Sequence, residues 1–531
     1  MNFKRFISCL CASLMVGSIA GCQNFDKTNI GSNAGATNSL NTEKPQIIMP
    51  PIANFAPPTL EAQPEIEDPG NEIKYTISRT IGSNMVVQRN SYFNVFGWSE
   101  NKGGIIYGEF MGEKRYCVID DNGEWSIQFS SHEATTKPQT IKIYPLNGKT
   151  TKFNNVLVGD VWMVSGQSNA EMHLSETFPR YSEYKKEIGK NENIRLFAQG
   201  RQYVVTTQSE KDYSVPQKDI INDAWTWRKN EAEFANSFSA VGYYFANELS
   251  KKADIPLGMV MSAAGGAVLH ELMPQELATE CGFTSSPCGQ VSLFYNTLMY
   301  PFTKNSITGM IFYQGESEAN VGQYKNYAQN LEKTVTAYRE IWGVNFPFIN
   351  IQLATHLGDS LTAWYELPNI RAAQFNAYRN IDNSYLVVSR DQAFQPGDPD
   401  WAHPFYKFEI GKRAADIAAS SLYKVSSVDY NQSPEPVDIK EDGNDILVEF
   451  KHVGDGLKLL TGNQLKGFAA EDSEGRDILV NAEIINSKTV KLELSGKAKT
   501  VKYCMMPDGS ISEANLGSST DYPAPAFELS V

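Results

Sequence analysis

The middle of the chain alternates short apolar runs with helix-period stretches, and this alternation constrains the fold more than any other feature. The runs are Val161-Trp162-Met163-Val164, Leu257-Gly258-Met259-Val260-Met261, Met310-Ile311-Phe312-Tyr313, Phe348-Ile349-Asn350-Ile351 and Tyr385-Leu386-Val387-Val388. Residues 239–249, 323–342 and 405–422 carry apolar side chains at helical spacing. Short apolar runs need cover on both faces, and interleaved helices supply it, so parallel strands with helices on either side are expected. We therefore expect an α/β region over 156–424. Ligands in such sheets bind beyond the carboxyl ends of the strands. The chemistry is to be sought directly after each run.

Both flanks read as β-rich modules. Over 73–155, Tyr92-Phe93-Asn94-Val95-Phe96-Gly97-Trp98 alternates as a strand does, and Asp121-Asn122-Gly123 marks a turn. Trp125-Ser126-Ile127-Gln128-Phe129 and Thr140-Ile141-Lys142-Ile143-Tyr144 continue the pattern. Residues 425–531 behave likewise, with Ile446-Leu447-Val448-Glu449-Phe450 and Val490-Lys491-Leu492-Glu493-Leu494. A chain of 531 residues with 41% hydrophobic side chains can fill several packed cores, which excludes global disorder. Its 61 acidic residues outnumber 47 basic ones, a net charge of -14. Such a surface repels phosphate backbones, so no nucleic-acid partner is expected.

The amino terminus has the pattern of an export signal. Lys4 and Arg5 precede an apolar run over 6–19 that is too short to span a bilayer comfortably. The run ends in Ile19-Ala20-Gly21-Cys22, which resembles a bacterial lipoprotein box. The resemblance implies a signal peptide over 1–21, lipidation of Cys22, and an exported lipoprotein held at the outer membrane, facing the periplasm or the exterior. Residues 22–72 are rich in Asn, Thr, Pro and Gln without periodicity, as a disordered stalk would be. Seven cysteines in so long a chain are no disulfide scaffold. Cys281 and Cys288 share a Gly- and Pro-containing loop and form a candidate disulfide, left open because spacing does not set geometry. Cys117 and Cys504 are expected to be buried singly.

The strand ends supply the parts of a serine acyl hydrolase. Ser165-Gly166-Gln167-Ser168-Asn169 follows the first run and Gly265-Gly266 the second. Gln314-Gly315-Glu316-Ser317 follows the third, and Asp398-Pro399-Asp400-Trp401-Ala402-His403-Pro404 the last. A serine hydroxyl needs a base, and His403 is the candidate. Asp400, three residues earlier, is placed to hold the imidazole tautomer. A tetrahedral oxyanion needs fixed donors: the Ser168 amide, a glycine amide and the Gln314 side chain are the natural set. Glu316 is read as a brace for the nucleophile loop, and Ser165 as a decoy buried beneath the turn. His173 and His270 are read as structural, and the 183–190 charge cluster as a solvated helix face. The six histidines show no metal-ligand spacing, and neither a phosphate loop nor a dinucleotide fingerprint occurs, so no metal and no cofactor are expected.

Gly159-Asp160-Val161-Trp162-Met163-Val164-Ser165-Gly166-Gln167-Ser168-Asn169 closely resembles the nucleophile block of bacterial sialate O-acetylesterases and related acetylxylan esterases, within the SGNH hydrolase superfamily. The likeness continues in Tyr313-Gln314-Gly315-Glu316-Ser317 and from Asp400 to Pro404. On the flanks it includes Asn84-Met85-Val86-Val87-Gln88-Arg89, Asn515-Leu516 and Pro523-Ala524-Pro525-Ala526-Phe527. It implies a three-layer domain with a central parallel sheet between the two β-rich modules. It implies Ser168 as nucleophile, Asp400 and His403 as its partners, and Ser168, a glycine of Gly265-Gly266 and Gln314 around the oxyanion. Gln167 and Asn169 complete the block as supports. The family pattern is broken at Ala170, Ala267, Leu272 and Glu318, near the presumed acyl or sugar pocket, which puts substrate identity rather than reaction class in question. The expected activity is removal of O-acetyl groups from sialic acid or another acetylated glycan. The alternative is a glycan-binding lipoprotein without catalysis. A lipase of the α/β-hydrolase type is disfavoured, because Ala170 occupies the second glycine position of Gly-x-Ser-x-Gly.

Overall fold

The computed structural model describes residues 72–355, 366–392, 403–425, 430–505 and 514–531. The leader, Cys22, the stalk to residue 71 and Asp400 lie outside the described residues. Among the described residues no helix is long and apolar enough to cross a membrane.

One long strand, β1 (Thr151–Gly166), organises the molecule. Its first half pairs with Val86–Gln88 and with Thr135–Pro145 of the N-terminal β region. Its second half pairs in parallel with β3 (Leu257–Ala263) and β4 (Gly309–Tyr313). Burial changes along its length. Exposed and half-buried residues alternate from Thr151 to Asn155, and every residue from Val156 to Gly166 is buried. A sheet covered on one face shows alternation and one covered on both does not. The expected boundary at 155/156 coincides with this switch but falls inside a single strand. One hydrophobic cluster accordingly runs from Val95, Phe129 and Ile143 through Val158 to Val164 and Phe312.

The central sheet has the order β2-β3-β1-β4-β5-β6, with β2 (Ile194–Ala198), β5 (Phe348–Gln352) and β6 (Ser384–Val388). All neighbours in that order are parallel. Arg228–Lys229 adds an antiparallel edge beside β2. From β1 the chain goes out to β2, returns to place β3 between them, and then crosses to the other side at β4. Crevices at such a reversal are where α/β sheets bind ligands, and the end of β1 lies there. β2 escapes sequence reading because Arg195, itself buried, interrupts its apolar run.

Helix α2 (Ala240–Ala253) begins where Ser239 Oγ accepts the Gly242 N–H at 3.2 Å, an N-cap bond. It packs against α6 (Lys407–Ser421), and α4 (Tyr327–Trp342) packs against α5 (Leu367–Asn380). α5 was not legible as a helix because its buried face carries Arg371 and Gln374.

The C-terminal β region holds two four-stranded antiparallel sheets. Its core joins Val448, Val490, Val501 and Phe527 to Phe375 of α5 and Val388 of β6. Buried polar groups complete this junction, since each must find a partner. Gln352 exchanges two hydrogen bonds with the Ala526 backbone, at 2.8 and 2.9 Å. The Arg390 guanidinium donates to the carbonyls of Ala514, Leu516 and Ala524. The closing motifs at 515–516 and 523–527 thereby clamp onto the central sheet.

Cys281 and Cys288 are separate thiols, which corrects the candidate disulfide. Cys288 is held elsewhere: its N–H donates to Glu271 Oε1 at 2.9 Å and its sulfur faces Arg201. Burial pushes its thiol up to about 11, away from the thiolate. Cys504 is buried as expected, whereas Cys117 is only partly so.

Candidate active site

Three loops converge at the carboxyl ends of β1, β3 and β4. Gly166 pairs with Ala263 on one side and Tyr313 on the other. It has φ +133°, and an added Cβ would lie 2.0 Å from the Tyr313 carbonyl oxygen. Only glycine permits this approach. The chain then turns into α1 (Ser168–Glu171), whose first residue is the expected nucleophile. Ser168 is half-buried, and neither its hydroxyl nor its amide is hydrogen-bonded to any described residue. Ser165 is fully buried and donates to the Ser262 carbonyl at 3.0 Å.

Side chains on either side of Ser168 staple its loop to the β4 loop. Gln167 Oε1 accepts from the Gly315 and Ser317 amides, both at 3.2 Å, while its own N–H donates to Tyr313 O at 3.0 Å. Asn169 Nδ2 donates to Glu316 Oε1 at 2.6 Å, and Asn169 Oδ1 accepts from Lys407 Nζ at 2.7 Å. Glu316 opens α3 (Glu316–Val321) and is buried, so its carboxylate sits beneath the Ser168 loop. Gly315, at φ +143°, lets the chain reverse there against Ile370 of α5.

Two expected oxyanion donors are committed to other partners. Gln314 is fully buried, and its Nε2 faces Ala267 O at 3.1 Å, Gln167 Oε1 at 3.3 Å and the Glu318 carboxylate. A primary amide has two N–H groups, and these acceptors account for both. Its oxygen atoms are held by Tyr327 and Gln374. Gln314 is thus a brace between loops in this arrangement. The Gly265 amide donates to Glu171 Oε2 at 2.6 Å. The Gly266 amide is hydrogen-bonded to no described residue, and a Cβ there would meet nothing within 4 Å.

His403 is half-buried and stands immediately before Pro404 and α6. His270 is buried and stacked on Phe283 with ring centroids 4.2 Å apart, and burial draws its pKa down. The His173 N–H donates to Glu176 at 2.6 Å, in a helix-capping role. Glu183 and Lys185 are exposed on a short helical turn. Among the described residues, no three His, Cys, Asp or Glu side chains converge as a metal-ligand set.

Buried carboxylates that sequence reasoning did not assign line the rear of the site. Glu171, one turn after Ser168, holds the Gly265 amide, and burial raises its pKa. Glu318, where the resembled family has Asn, accepts the Leu269 amide as well as Gln314. Burial pushes its carboxyl up from 4.5 to about 7. The folded state therefore retains a proton between these values that the unfolded chain releases. The resulting stability is full below about 4.5 and is lost as pH rises through about 7. Glu318→Gln is expected to flatten this loss. Urea unfolding midpoints at about pH 5 and about pH 8 check it, and an unchanged difference between wild type and variant would count against it.

A parallel sheet reversing at β1, with a serine on the turn and the two β modules clamped around it, defines a protein of the carbohydrate acetylesterase fold. A carbohydrate acetylesterase from Xanthomonas citri superposes with a TM-score of 0.74 at 24% identity, over 86% of this chain and 99% of that one. Residues 158–418, just under half of the chain, match the family described as carbohydrate esterase, sialic acid-specific acetylesterase. The rat sialate O-acetylesterase is 23% identical over 51% of this chain and 59% of its own length. The human one is 25% identical over 51% and 56%. The chain thus spans somewhat more than half the length of the curated relatives it matches.

Proposed function

We propose that this protein is a serine carbohydrate esterase that removes O-acetyl groups from sialic acid or another acetylated glycan. Ser168 attacks the acetyl carbonyl, and His403, oriented by Asp400, accepts its proton. The oxyanion is held by the Ser168 and Gly266 amides, neither of which is hydrogen-bonded to a described residue. His403 returns the proton to the leaving sugar hydroxyl, an acetyl-enzyme forms, and water attacks it by the same route. The observation that carries the reading is Ser168 itself. Its hydroxyl is unengaged by any described residue, on a glycine-enforced turn at the sheet's reversal point. The acetylesterase names of the relatives supply the acyl group and the sugar.

The test is acetate release from O-acetylated sialic acids, acetylated xylan, acetylated pectin and N-acetyl sugars. Turnover is expected for at least one O-acetyl substrate and not for the N-acetyl sugars, because an ester carbonyl is more electrophilic than an amide carbonyl and its alkoxide is the better leaving group. Equal hydrolysis of N- and O-acetyl groups would overturn the ester reading. Release from none of them would return the glycan-binding alternative.

A further inference from the structure

We propose that Lys407 is a positioning residue that sets His403 against Ser168; the proposal rests on the reading of His403 as base given above. Lys407 is the first residue of α6 and its side chain is fully buried. Its ammonium donates to Asn169 Oδ1 at 2.7 Å and to the Pro404 carbonyl at 2.5 Å. It also lies 5.8 Å from the ring centre of Tyr313, the last residue of β4. Asn169 continues the chain of contacts to the Glu316 carboxylate at 2.6 Å. One ammonium thus joins the residue after the nucleophile to the residue after the base.

The identity of the anchored atoms gives the contact its consequence. Proline fixes its own φ, and the residue before it is confined to extended conformations. Holding the Pro404 carbonyl therefore restricts the arc through which the His403 imidazole can swing. The other end of the tether is equally firm, because Asn169 is braced by Glu316 and Ser168 shares its helical turn. Burying an ammonium is costly unless it is hydrogen-bonded and charge-compensated. Lys407 meets that cost by bonding both motifs, with Glu316 one side chain away. A neutral residue of similar length would keep the packing and release the tether. Proton transfer needs the base within hydrogen-bond reach of the hydroxyl, and a displacement of about 1 Å costs roughly 10²-fold in rate.

The test measures kcat and KM for 4-nitrophenyl acetate hydrolysis by the full chain carrying Lys407→Met. The expected result is a fall in kcat of about 10²-fold with KM changed by less than about twofold. Lys407→Met is then placed in a His403→Ala background. There it is expected to add less than about threefold, because the group it positions is gone. Wild-type kcat in a folded Lys407→Met protein overturns the proposal, as does an undiminished loss in the His403→Ala background. Should Lys407→Met fail to fold, Lys407→Arg carries the test. A planar guanidinium cannot overlay a compact ammonium, and a kcat loss of about tenfold is expected, again vanishing without His403; unchanged kcat overturns the proposal. Full activity in His403→Ala itself would remove both the underlying reading and the proposal. A His403→Ala loss beside an unaffected Lys407→Met sinks the proposal alone.

Discussion

Ser168→Ala is expected to lower kcat by about 10⁶-fold while leaving the protein folded. The magnitude is that seen when a nucleophile is removed from a unit that acts in one step. The folding expectation comes from this structure. Ser168 Oγ is hydrogen-bonded to no described residue, so its loss strands no buried partner. Ser165→Ala provides the contrast. Its hydroxyl is buried and bonded to the Ser262 carbonyl. Losing that bond should cost about 1 kcal/mol of stability and leave turnover within an order of magnitude. Acetate release by the two variants, with fluorophosphonate labelling and mapping of the modified peptide, checks both. A label on Ser165, or full activity in folded Ser168→Ala, would remove the assignment.

His403→Ala is expected to cost nearly as much as Ser168→Ala, and the double variant little more than either alone. The reason is that nucleophile and base act on one proton in one transition state. Without the base, the hydroxyl stays protonated and its presence contributes little. Asp400→Asn should preserve the fold and cost about 10⁴-fold, through the wrong imidazole tautomer. Single-turnover rates for the three variants and the double variant make the comparison. Losses that multiply in the double variant would mean that Ser168 and His403 act independently. Both would then need other roles.

Much of the chain was legible in its residues alone, because local patterning reports what surrounds a segment. Five of the six parallel strands announced themselves as short apolar runs, since a strand covered on both faces buries nearly every side chain and favours apolar ones. The glycine at 166 and the serine two residues later stand at the end of such a run, where a tight turn leaves few alternatives. The N-terminal and C-terminal modules were equally plain from period-two alternation. What stayed hidden was what depends on long-range partners. β2 and the helix α5 carry buried Arg195, Arg371 and Gln374. Each of these residues looks like surface until its surroundings are known.

The site divides along the same line. Residue type and order alone led to the expectation that Ser168, His403, Gln314 and the glycine pair share one centre, because acyl transfer calls for a nucleophile, a base and amide donors at strand ends. Only the tertiary structure decided which hydrogen-bond donors are available. Gln314 and Gly265 have the right chemistry for an oxyanion, yet Glu318 and Glu171 reach their N–H groups first. The Gly266 N–H meets no acceptor among the described residues, although its carbonyl accepts the Ser317 hydroxyl. Lys407 carries no signal in the sequence and is a buried link between Asn169 and Pro404 in the structure. A residue's chemistry is local, but the acceptors of Gly265 and Lys407 are brought from 94 and 238 residues away by the fold, and no spacing rule reaches that far.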